Sequence, residues 1–264
     1  MKERELHGKS KNLVEVIPEE LIKLESDKEV KEIILDVAKI EKREGELSNK
    51  EKILDSWIPR TELGRLVKEG KIRTYEEAIA TGKKILEPEI IDILLNLESD
   101  LLLIGQSKGK FGGGKRRAWR QTQKKTMEEN VITFSCMAVV GDKEGHVGIG
   151  MGRAKETLPA RDKAYRNAKL NIISVERGFE EKEDKINEPH TVPFIVEGKC
   201  GSVRIKLIPA PRGTGLVIGD EAKKILRLAG IKDVYSKTMG QTRTTFNVAE
   251  ACIDALIKTT KMKK

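Results

Sequence analysis

The first hundred residues alternate apolar and charged positions with the period of an α-helix. Residues 18–56 predict one or two surface helices, because their apolar positions lie three or four residues apart. These positions include Val30, Ile33, Ile34, Val37 and Ile40. Two later helices have clear starts, at Thr61 and at Thr74, where Glu77 completes a capping box. We predict short helices at about 61–69, 75–81 and 88–95.

From about residue 98 the pattern changes to the short apolar runs of β-strands. Two such runs flank a Gly-Asp-Lys-Glu-Gly turn at 141–145, which is typical of a hairpin. The next segment predicts a helix with Thr157 as its N-cap and Pro159 in its first turn. Strands, hairpin and helix together predict a compact α+β module over residues 98–178.

A polar, acidic stretch at 179–190 predicts a linker to a second α+β module. In that module a second hairpin pattern turns at Gly198–Gly201, a helix closes at Gly230, and a strand and a last helix follow. The predicted segments are a helical extension at 1–56, a second helical extension at 57–97, the first module at 98–178, the linker at 179–190 and the second module at 191–264. The extension at 1–56 fits either a lineage-specific tail or a solvated appendage.

The charge is unevenly distributed along the chain. The net charge is +9, but residues 1–100 carry 19 Lys/Arg against 24 Asp/Glu, whereas residues 101–264 carry 32 against 18. A positive field of this kind concentrates polyanions, so nucleic acid is the leading partner and an anionic membrane the second. A merely soluble basic protein is the third interpretation.

Cysteine usage and hydropathy predict a soluble cytoplasmic protein. Cys136, Cys200 and Cys252 stand singly and are odd in number, which favours neither a disulfide framework nor a metal site. The first residues lack an apolar signal region, and no run approaches the roughly 20 apolar residues of a membrane span.

The segment 107–125 contains eight Lys or Arg side chains, three consecutive glycines and no acid. Gly109, Gly114 and Lys115 have the spacing of a nucleotide-binding P-loop, but Arg116 stands where a Ser or Thr must hold the magnesium ion. We therefore favour a loop that binds nucleic-acid phosphates over an NTPase site. Trp119 could stack on a base or pack the loop down.

Two other glycine-rich segments are candidate contact sites. Residues 148–156 resemble a dinucleotide fingerprint without its final glycine, and their glycines either admit a polyanion backbone or relieve crowding in a twisted sheet. Residues 209–220 form a stiff Pro- and Gly-rich bend that we interpret as a contact loop. Conventional catalytic sets are missing, because His7, His146 and His190 are scattered and no GxSxG is present, so we predict no enzyme.

Several long segments resemble a known family. They are MAVVGDKEGHVGIGMGRAKET, PHTVPFIVEGKCGSVRIKLIPAPRGTGLVIGD and LAGIKDVYSKTMGQTRTTFNVAEACIDAL. In order and spacing they resemble the fifth protein of the small ribosomal subunit, and WIPRTELGRLVKEGKI is similar to the N-terminal extension of its archaeal and eukaryotic branch. The resemblance covers about residues 57–260.

The resemblance implies an α+β fold with two modules. The first would be a double-stranded-RNA-binding-like module with a three-stranded antiparallel sheet and a helix, and the second a βαβ-rich module. It also implies a structural constituent of the small subunit that binds small-subunit (16S-type) rRNA and the fourth and eighth small-subunit proteins. Such a protein would support the channel through which mRNA enters and the accuracy of decoding. An RNA-binding regulator outside the ribosome and an NTPase acting on RNA are the alternatives.

Charge, glycine spacing and the resemblance together assign the candidate contacts. The predicted RNA contacts are Lys108, Lys110, Lys115, Arg116, Arg117, Trp119, Arg120, Lys124, Lys125, Gly148, Gly150, Gly152, Arg153, Lys155, Arg161, Arg166 and Lys169. The predicted interface with RNA or protein consists of Arg212, Gly213, Thr214, Gly215, Lys237 and Arg243. We expect neither a cofactor nor a metal, because the cysteines that many archaeal-type members carry after the segment matching 175–178 are missing here.

Overall fold

The computed structural model describes residues 57–106, 114, 116–179 and 188–261. Every helix and strand described belongs to one structural unit, Ile58–Lys264. The predicted helices within residues 1–56, most of the glycine-rich loop and the middle of the predicted linker lie outside the described residues.

Three short helices precede the sheets: α1 (Glu62–Lys68), α2 (Tyr75–Ala80) and α3 (Pro88–Leu94). The Thr61 hydroxyl accepts a hydrogen bond from the Gly64 amide at 3.1 Å, which caps α1. Thr74 and Glu77 form the predicted capping box of α2. The three helices are confirmed to within about one residue at each end, because local hydrogen bonds decide where such helices begin.

The first sheet is entirely antiparallel. Its strands are β1 (Glu98–Leu101), β4 (Trp119–Lys125), β5 (Asn130–Gly141), β6 (His146–Ala154) and β7 (Ile172–Ser174). The sheet has five strands rather than the three expected. The 12-residue β5 pairs with β4 along its first half and with β1 along its second half, and β7 extends the other edge. A separate ribbon joins β2 (Gly105–Gln106) to β3 (Arg116–Arg117).

The hairpin between β5 and β6 turns where the sequence predicted. Lys143 adopts a φ of 64°, a left-handed conformation that non-glycine residues rarely adopt. The Asp142 carboxylate stabilises this turn by accepting hydrogen bonds from the backbone amides of Glu144 at 2.7 Å and His146 at 2.9 Å.

Helix α4 (Thr157–Leu170) covers one face of the first sheet. Ala160, Ala164 and Ala168 recur every four residues and pack against β5, with Cys136 and Ala138 in the same cluster. The prediction that Thr157 is the N-cap is wrong. Glu156 is the N-cap, because its extended backbone (φ −120°, ψ 163°) lets the helix begin at Thr157 without a side-chain cap hydrogen bond.

The second sheet has the strand order β10–β11–β9–β8, with β8 (Val196–Cys200), β9 (Val203–Pro209), β10 (Leu216–Val217) and β11 (Val234–Met239). Helix α5 (Asp220–Leu228) connects the parallel strands β10 and β11 in a βαβ unit. Helix α6 (Thr245–Lys261) packs mainly on β8 and β9.

The turn of the second hairpin is shorter than predicted. It consists of Gly201 and Ser202, and Gly198 lies inside β8. A Cβ added at Gly198 would lie 2.0 Å from the Ala251 carbonyl oxygen on α6. Gly198 is therefore a packing glycine, since a strand position this close to a helix backbone has no room for a side chain.

The two sheets contribute to one hydrophobic core. Met137, Val139 and Val147 of the first sheet belong to the same buried cluster as Ile205 of β9 and Ile225 of α5. Outside the core, Gly178 and Thr191 form an isolated antiparallel bridge, so the two ends of the predicted linker meet. The mixed helices and sheets confirm the α+β class.

Candidate nucleic-acid interface

Strand β4 is a basic strand at the edge of the first sheet. The chain carries five cations and no acid between Arg116 and Lys125. The predicted loop over 107–125 is wrong for Arg116–Arg117, which form β3, and for Trp119–Lys125, which pairs residue by residue with β5. Most residues of β4 are polar on both faces, so the strand has little of the apolar alternation by which sequence analysis identifies strands.

The cations of β3 and β4 are exposed, and so is Arg153 at the end of β6. We call this set the basic strand surface. Its members are Arg116, Arg117, Arg120, Lys124, Lys125 and Arg153. Lys108, Lys110 and Lys115, which were predicted to act with them, lie outside the described residues.

The sheet register sets the spacing of this surface. Arg120 of β4 and Arg153 of β6 both lie opposite Ser135 of β5, so they point to the same face from the two flanking strands. Because neighbouring strands lie about 4.8 Å apart, the two backbone positions are roughly 10 Å apart. The sheet thus fixes the backbone positions from which two arginines extend, on elements more rigid than a loop.

Threonine hydroxyls support the same face. The Arg153 guanidinium donates a hydrogen bond to Thr133 Oγ1 at 3.0 Å, and the hydroxyls of Thr122 and Thr133 lie 2.8 Å apart. Arg153 remains exposed despite this contact. The hydrogen bond orients the guanidinium. No acidic side chain in the described parts of the chain forms an ion pair with it, so its positive charge is not neutralised there.

One member of the surface does have an acidic neighbour. Arg116 Nη1 lies 3.8 Å from Glu221 Oε1, and the Glu221 side chain is only 6% exposed. Glu221 Oε2 also accepts a hydrogen bond from the Leu103 amide at 2.7 Å. Arg116 therefore helps to hold the β2–β3 ribbon near α5, and less of its charge is available to an external phosphate.

The predicted contacts on and before α4 divide into two groups. Lys155, Arg161 and Arg166 are exposed and form no ion pair with the residues that the structure describes. Lys169 is half-buried and donates to Asp92 Oδ2 at 2.7 Å, which ties α4 to α3. Lys169 is thus engaged in a structural ion pair.

The three glycines of β6 face α4. A Cβ added at Gly148, Gly150 or Gly152 would lie 2.1 to 2.3 Å from a backbone atom of α4. All three glycines are buried. Of the two interpretations of these glycines, the structure favours relief of crowding, because the helix occupies the space that a side chain would need. Their contact with RNA remains a prediction.

Trp119 is half-buried and packs against the cluster that contains Cys136 and Ala138. Its neighbour Gly105 touches the strand backbone, since a Cβ there would lie 1.8 Å from the Trp119 carbonyl oxygen. The packing role predicted as one alternative for this tryptophan therefore accounts for its position in the fold.

Hydrogen bonds with buried side chains stabilise the Pro- and Gly-rich bend at 209–215. Asp233 Oδ1 accepts a hydrogen bond from the Gly215 amide at 2.7 Å, and Asp233 Oδ2 lies 3.0 Å from Nδ1 of the buried His190. Gly213 and Gly215 have φ values of 86° and 74°, which favour glycine. The loop is consequently a fixed projection, with Arg212 and Gly213 exposed and Thr214 and Gly215 half-buried.

A cavity of about 780 Å³ opens beside this bend. Lys143, Lys223, Arg227 and Lys232 line it together with the apolar Leu216. Most of these cations have acidic neighbours, such as Glu188 at 3.4 Å from Lys232. Apolar surface rimmed by paired charges is more typical of a protein contact than of a phosphate site.

Lys237 and Arg243 lie elsewhere in the second sheet region. Lys237 is exposed on β11, opposite Lys206 of β9. Arg243 is exposed in the turn before α6 and lies beside a cleft lined by Arg117 and Arg120. The sequence assigned Arg243 to a different group of contacts from these two arginines, because more than a hundred residues separate them in the chain.

The cysteines have no features of reactive or metal-binding thiols. A hydrogen bond to Glu250 raises the pKa of Cys200 to about 11, and burial raises the pKa of Cys252 to about 12. Burial also raises the pKa of Cys136. Within the described ranges, no group of three or more His, Cys, Asp or Glu is placed to hold a metal ion. None of the helices described is long and apolar enough to cross a membrane.

Comparison with known families gives two matches. The model for the N-terminal domain of ribosomal protein S5 matches residues 116–176, and the model for its C-terminal domain matches residues 198–264. The chain is 48% identical over 211 residues to small ribosomal subunit protein uS5 of Nanoarchaeum equitans, covering 80% of this chain and 90% of that protein. It is 49% identical over 207 residues to uS5 of Pyrobaculum aerophilum, covering 78% and 88%. It is 45% identical over 209 residues to uS5 of Staphylothermus marinus, covering 79% and 91%.

Proposed function

The chain belongs to the ribosomal protein S5 family, and we propose that it binds small-subunit rRNA through the basic strand surface. As a member of this family it is a structural protein of the small ribosomal subunit in the cytoplasm and not an enzyme. Its partners are accordingly rRNA and other ribosomal proteins.

The observation that carries the RNA assignment is the row of exposed cations on a rigid sheet. Arg120 and Arg153 project from fixed positions, and Lys124 lies on the same face of β4 as Arg120. Phosphate contacts from such positions determine the register and orientation of the protein on RNA. Since the bases of an A-form helix are poorly accessible in its deep groove, we propose that specificity comes from RNA shape.

The NTPase alternative fails on the family and on local structure. A P-loop requires a helix directly after its lysine, with the phosphates at the helix N-terminus. Here the residues after Lys115 form β3, and Arg116 lies beside Glu221. We therefore assign the basic residues to RNA phosphates and none of them to nucleotide hydrolysis.

We further propose that the 209–215 bend and the cavity beside it face neighbouring proteins, the fourth or the eighth of the small subunit. The support is the fixed shape of the bend and the mixture of apolar and charged residues that line the cavity. On the resemblance alone we also propose contact with mRNA near its entrance to the subunit and an influence on decoding accuracy.

Two charge-removing pairs of substitutions test the RNA assignment. Lys124→Gln with Lys125→Gln removes two cations of β4, whereas Lys83→Gln with Lys84→Gln removes two exposed cations between α2 and α3. Each phosphate contact contributes about 0.9 to the salt dependence of binding. We expect the first pair of substitutions to reduce the magnitude of the slope of log K against log salt by roughly 1 to 2. The second pair should leave this slope at its wild-type value.

Two outcomes would contradict the proposal. The wild-type chain must sediment with the small subunit through a sucrose gradient in high salt, and recovery only at the top would refute the ribosomal role proposed for these surfaces. Equal slopes for the two variant pairs would remove β4 from the RNA contacts while leaving the family membership untouched.

A further inference from the structure

A second basic site lies where the β2–β3 ribbon, β4 and the start of α6 meet. These elements enclose a cleft of about 430 Å³. Three arginines line it, Arg117 from β3, Arg120 from β4 and Arg243 from the turn before α6. Gln106 and Thr244 add neutral hydrogen-bonding groups, and Phe246 adds an aromatic wall.

The charge of this cleft is not balanced from within the described chain. None of its lining residues is acidic. Arg117, Arg120 and Arg243 form no ion pair with any residue that the structure describes, in contrast to Arg116, which lies 3.8 Å from Glu221. Like charges that converge without an acid raise the energy of the folded chain, so a bound anion would stabilise the arrangement.

The chemistry of the three side chains favours a phosphate. A guanidinium offers planar, paired donors that match phosphate oxygens and is more weakly hydrated than the lysine ammonium. The neutral Gln and Thr groups can donate to the remaining oxygens or to a sugar. A cleft of this volume falls within the roughly 300–1,000 Å³ of sites that hold small molecules, which is room for about one nucleotide and too little for a duplex.

Continuity with the basic strand surface identifies the source of that phosphate. Arg120 belongs both to the cleft and to the row that includes Arg153. An RNA strand lying on the row can therefore extend into the cleft without crossing an acidic side chain of the lining.

We propose that this cleft binds the phosphodiester of an unpaired rRNA nucleotide, so that both domains of the family, through β4 and Arg243, hold the same RNA strand. This inference rests on the rRNA binding proposed above. It adds a contact that contains a C-terminal-domain arginine and a single-stranded RNA element.

Arg243→Gln tests the cleft, and Arg65→Gln on α1 is the matched control. Both residues are exposed, and both changes remove one positive charge. The full chain is titrated with small-subunit rRNA over a range of KCl concentrations. We expect Arg243→Gln to reduce the salt slope by about 0.7 to 0.9 and to weaken binding by roughly tenfold, since a charged hydrogen bond is lost. Arg65→Gln leaves both quantities unchanged.

A thermal unfolding curve for each variant shows whether it is folded. Where Arg243→Gln unfolds early, Arg243→Lys replaces it. The lysine keeps the charge and the salt slope, but it loses the bidentate geometry, and we expect several-fold weaker binding. Binding by Arg243→Lys equal to that of the wild type would overturn the proposal.

Two further results distinguish a failure of the cleft proposal from a failure of the proposed rRNA binding by β4. If Lys124→Gln with Lys125→Gln lowers the slope while Arg243→Gln matches Arg65→Gln, the cleft proposal is refuted and rRNA binding by β4 stands. If AMP or inorganic phosphate binds the chain saturably through Arg243 without affecting its affinity for rRNA, the cleft is a free-nucleotide site, and the proposed RNA contact is wrong.

Discussion

Gly150 is the position where the packing and RNA-contact interpretations of the β6 glycines can be separated. A Cβ added there would lie 2.1 Å from the Ala168 amide nitrogen and 2.4 Å from the Ala164 carbonyl oxygen. Both atoms belong to the α4 backbone, so neither can rotate away, and the helix must move relative to the sheet. Over-packing of a core costs about 1–3 kcal/mol, and two rigid backbone contacts place the cost of Gly150→Ala at about 3 kcal/mol. For a chain of this size that corresponds to a fall in Tm of roughly 6–12 °C.

Thermal unfolding of the isolated protein and its affinity for rRNA are the two measurements. Gly219→Ala is the control, because Gly219 has a φ of −61° and a Cβ there would meet nothing within 4 Å. We expect that control to change stability by less than about 0.5 kcal/mol. The alanine lowers the entropy of the unfolded chain, which stabilises the fold, but it is a weaker N-cap than glycine, and the two effects nearly cancel. A Gly150→Ala protein with an unchanged Tm and weakened rRNA binding would refute the packing argument.

Two other predictions concern buried and capping carboxylates. Glu221→Ala removes the acceptor of a backbone amide and the neighbour of Arg116, and we expect a loss of about 1–3 kcal/mol in chemical denaturation; stability equal to the wild type would contradict it. Hydrogen bonds from the backbone amides of Arg73 and Thr74 lower the pKa of Glu77. The ionised Glu77 side chain therefore contributes fully to the stability of α2 above the ordinary Glu pKa of about 4.3. This contribution is lost as the pH falls through the lower pKa of Glu77 in the folded protein. Hydrogen exchange, corrected for intrinsic rates, should show α2 losing protection there, and constant protection down to pH 2 would contradict this.

The elements that the sequence predicted well are those decided by a few neighbouring residues. Thr61 and Thr74 cap helices through bonds that span three residues, and the 141–145 turn depends on its own glycines and aspartate. Gly198 was assigned to a turn because glycine is common in turns. Its true constraint is α6, more than fifty residues later, which no local pattern contains.

The candidate site was predicted in composition but only partly in arrangement. The run of cations before Lys125 identified the basic surface, since charge needs no knowledge of the fold. The sequence pattern did not predict β4 as a strand, because its residues are mostly polar on both faces. The cleft that joins Arg117 to Arg243 depends on tertiary packing, although the acid-free stretch around Arg243 was a weak sequence signal for the contact proposed there.

The acidic and basic parts of the sequence are in contact in the folded chain, where they form ion pairs. Acidic residues between positions 92 and 100 neutralise cations that belong to the basic part of the sequence, in the pairs Lys169–Asp92, Lys143–Glu98 and Lys224–Asp100. The cations of β4 and the arginines of the cleft have no such partners among the described residues. Part of the positive charge of residues 101–264 is therefore cancelled around α3, β1 and α5. Among the described cations that have no acidic neighbour, Arg120, Lys124 and Arg153 share one face of the first sheet. This grouping supports the proposal of a defined phosphate path rather than diffuse attraction.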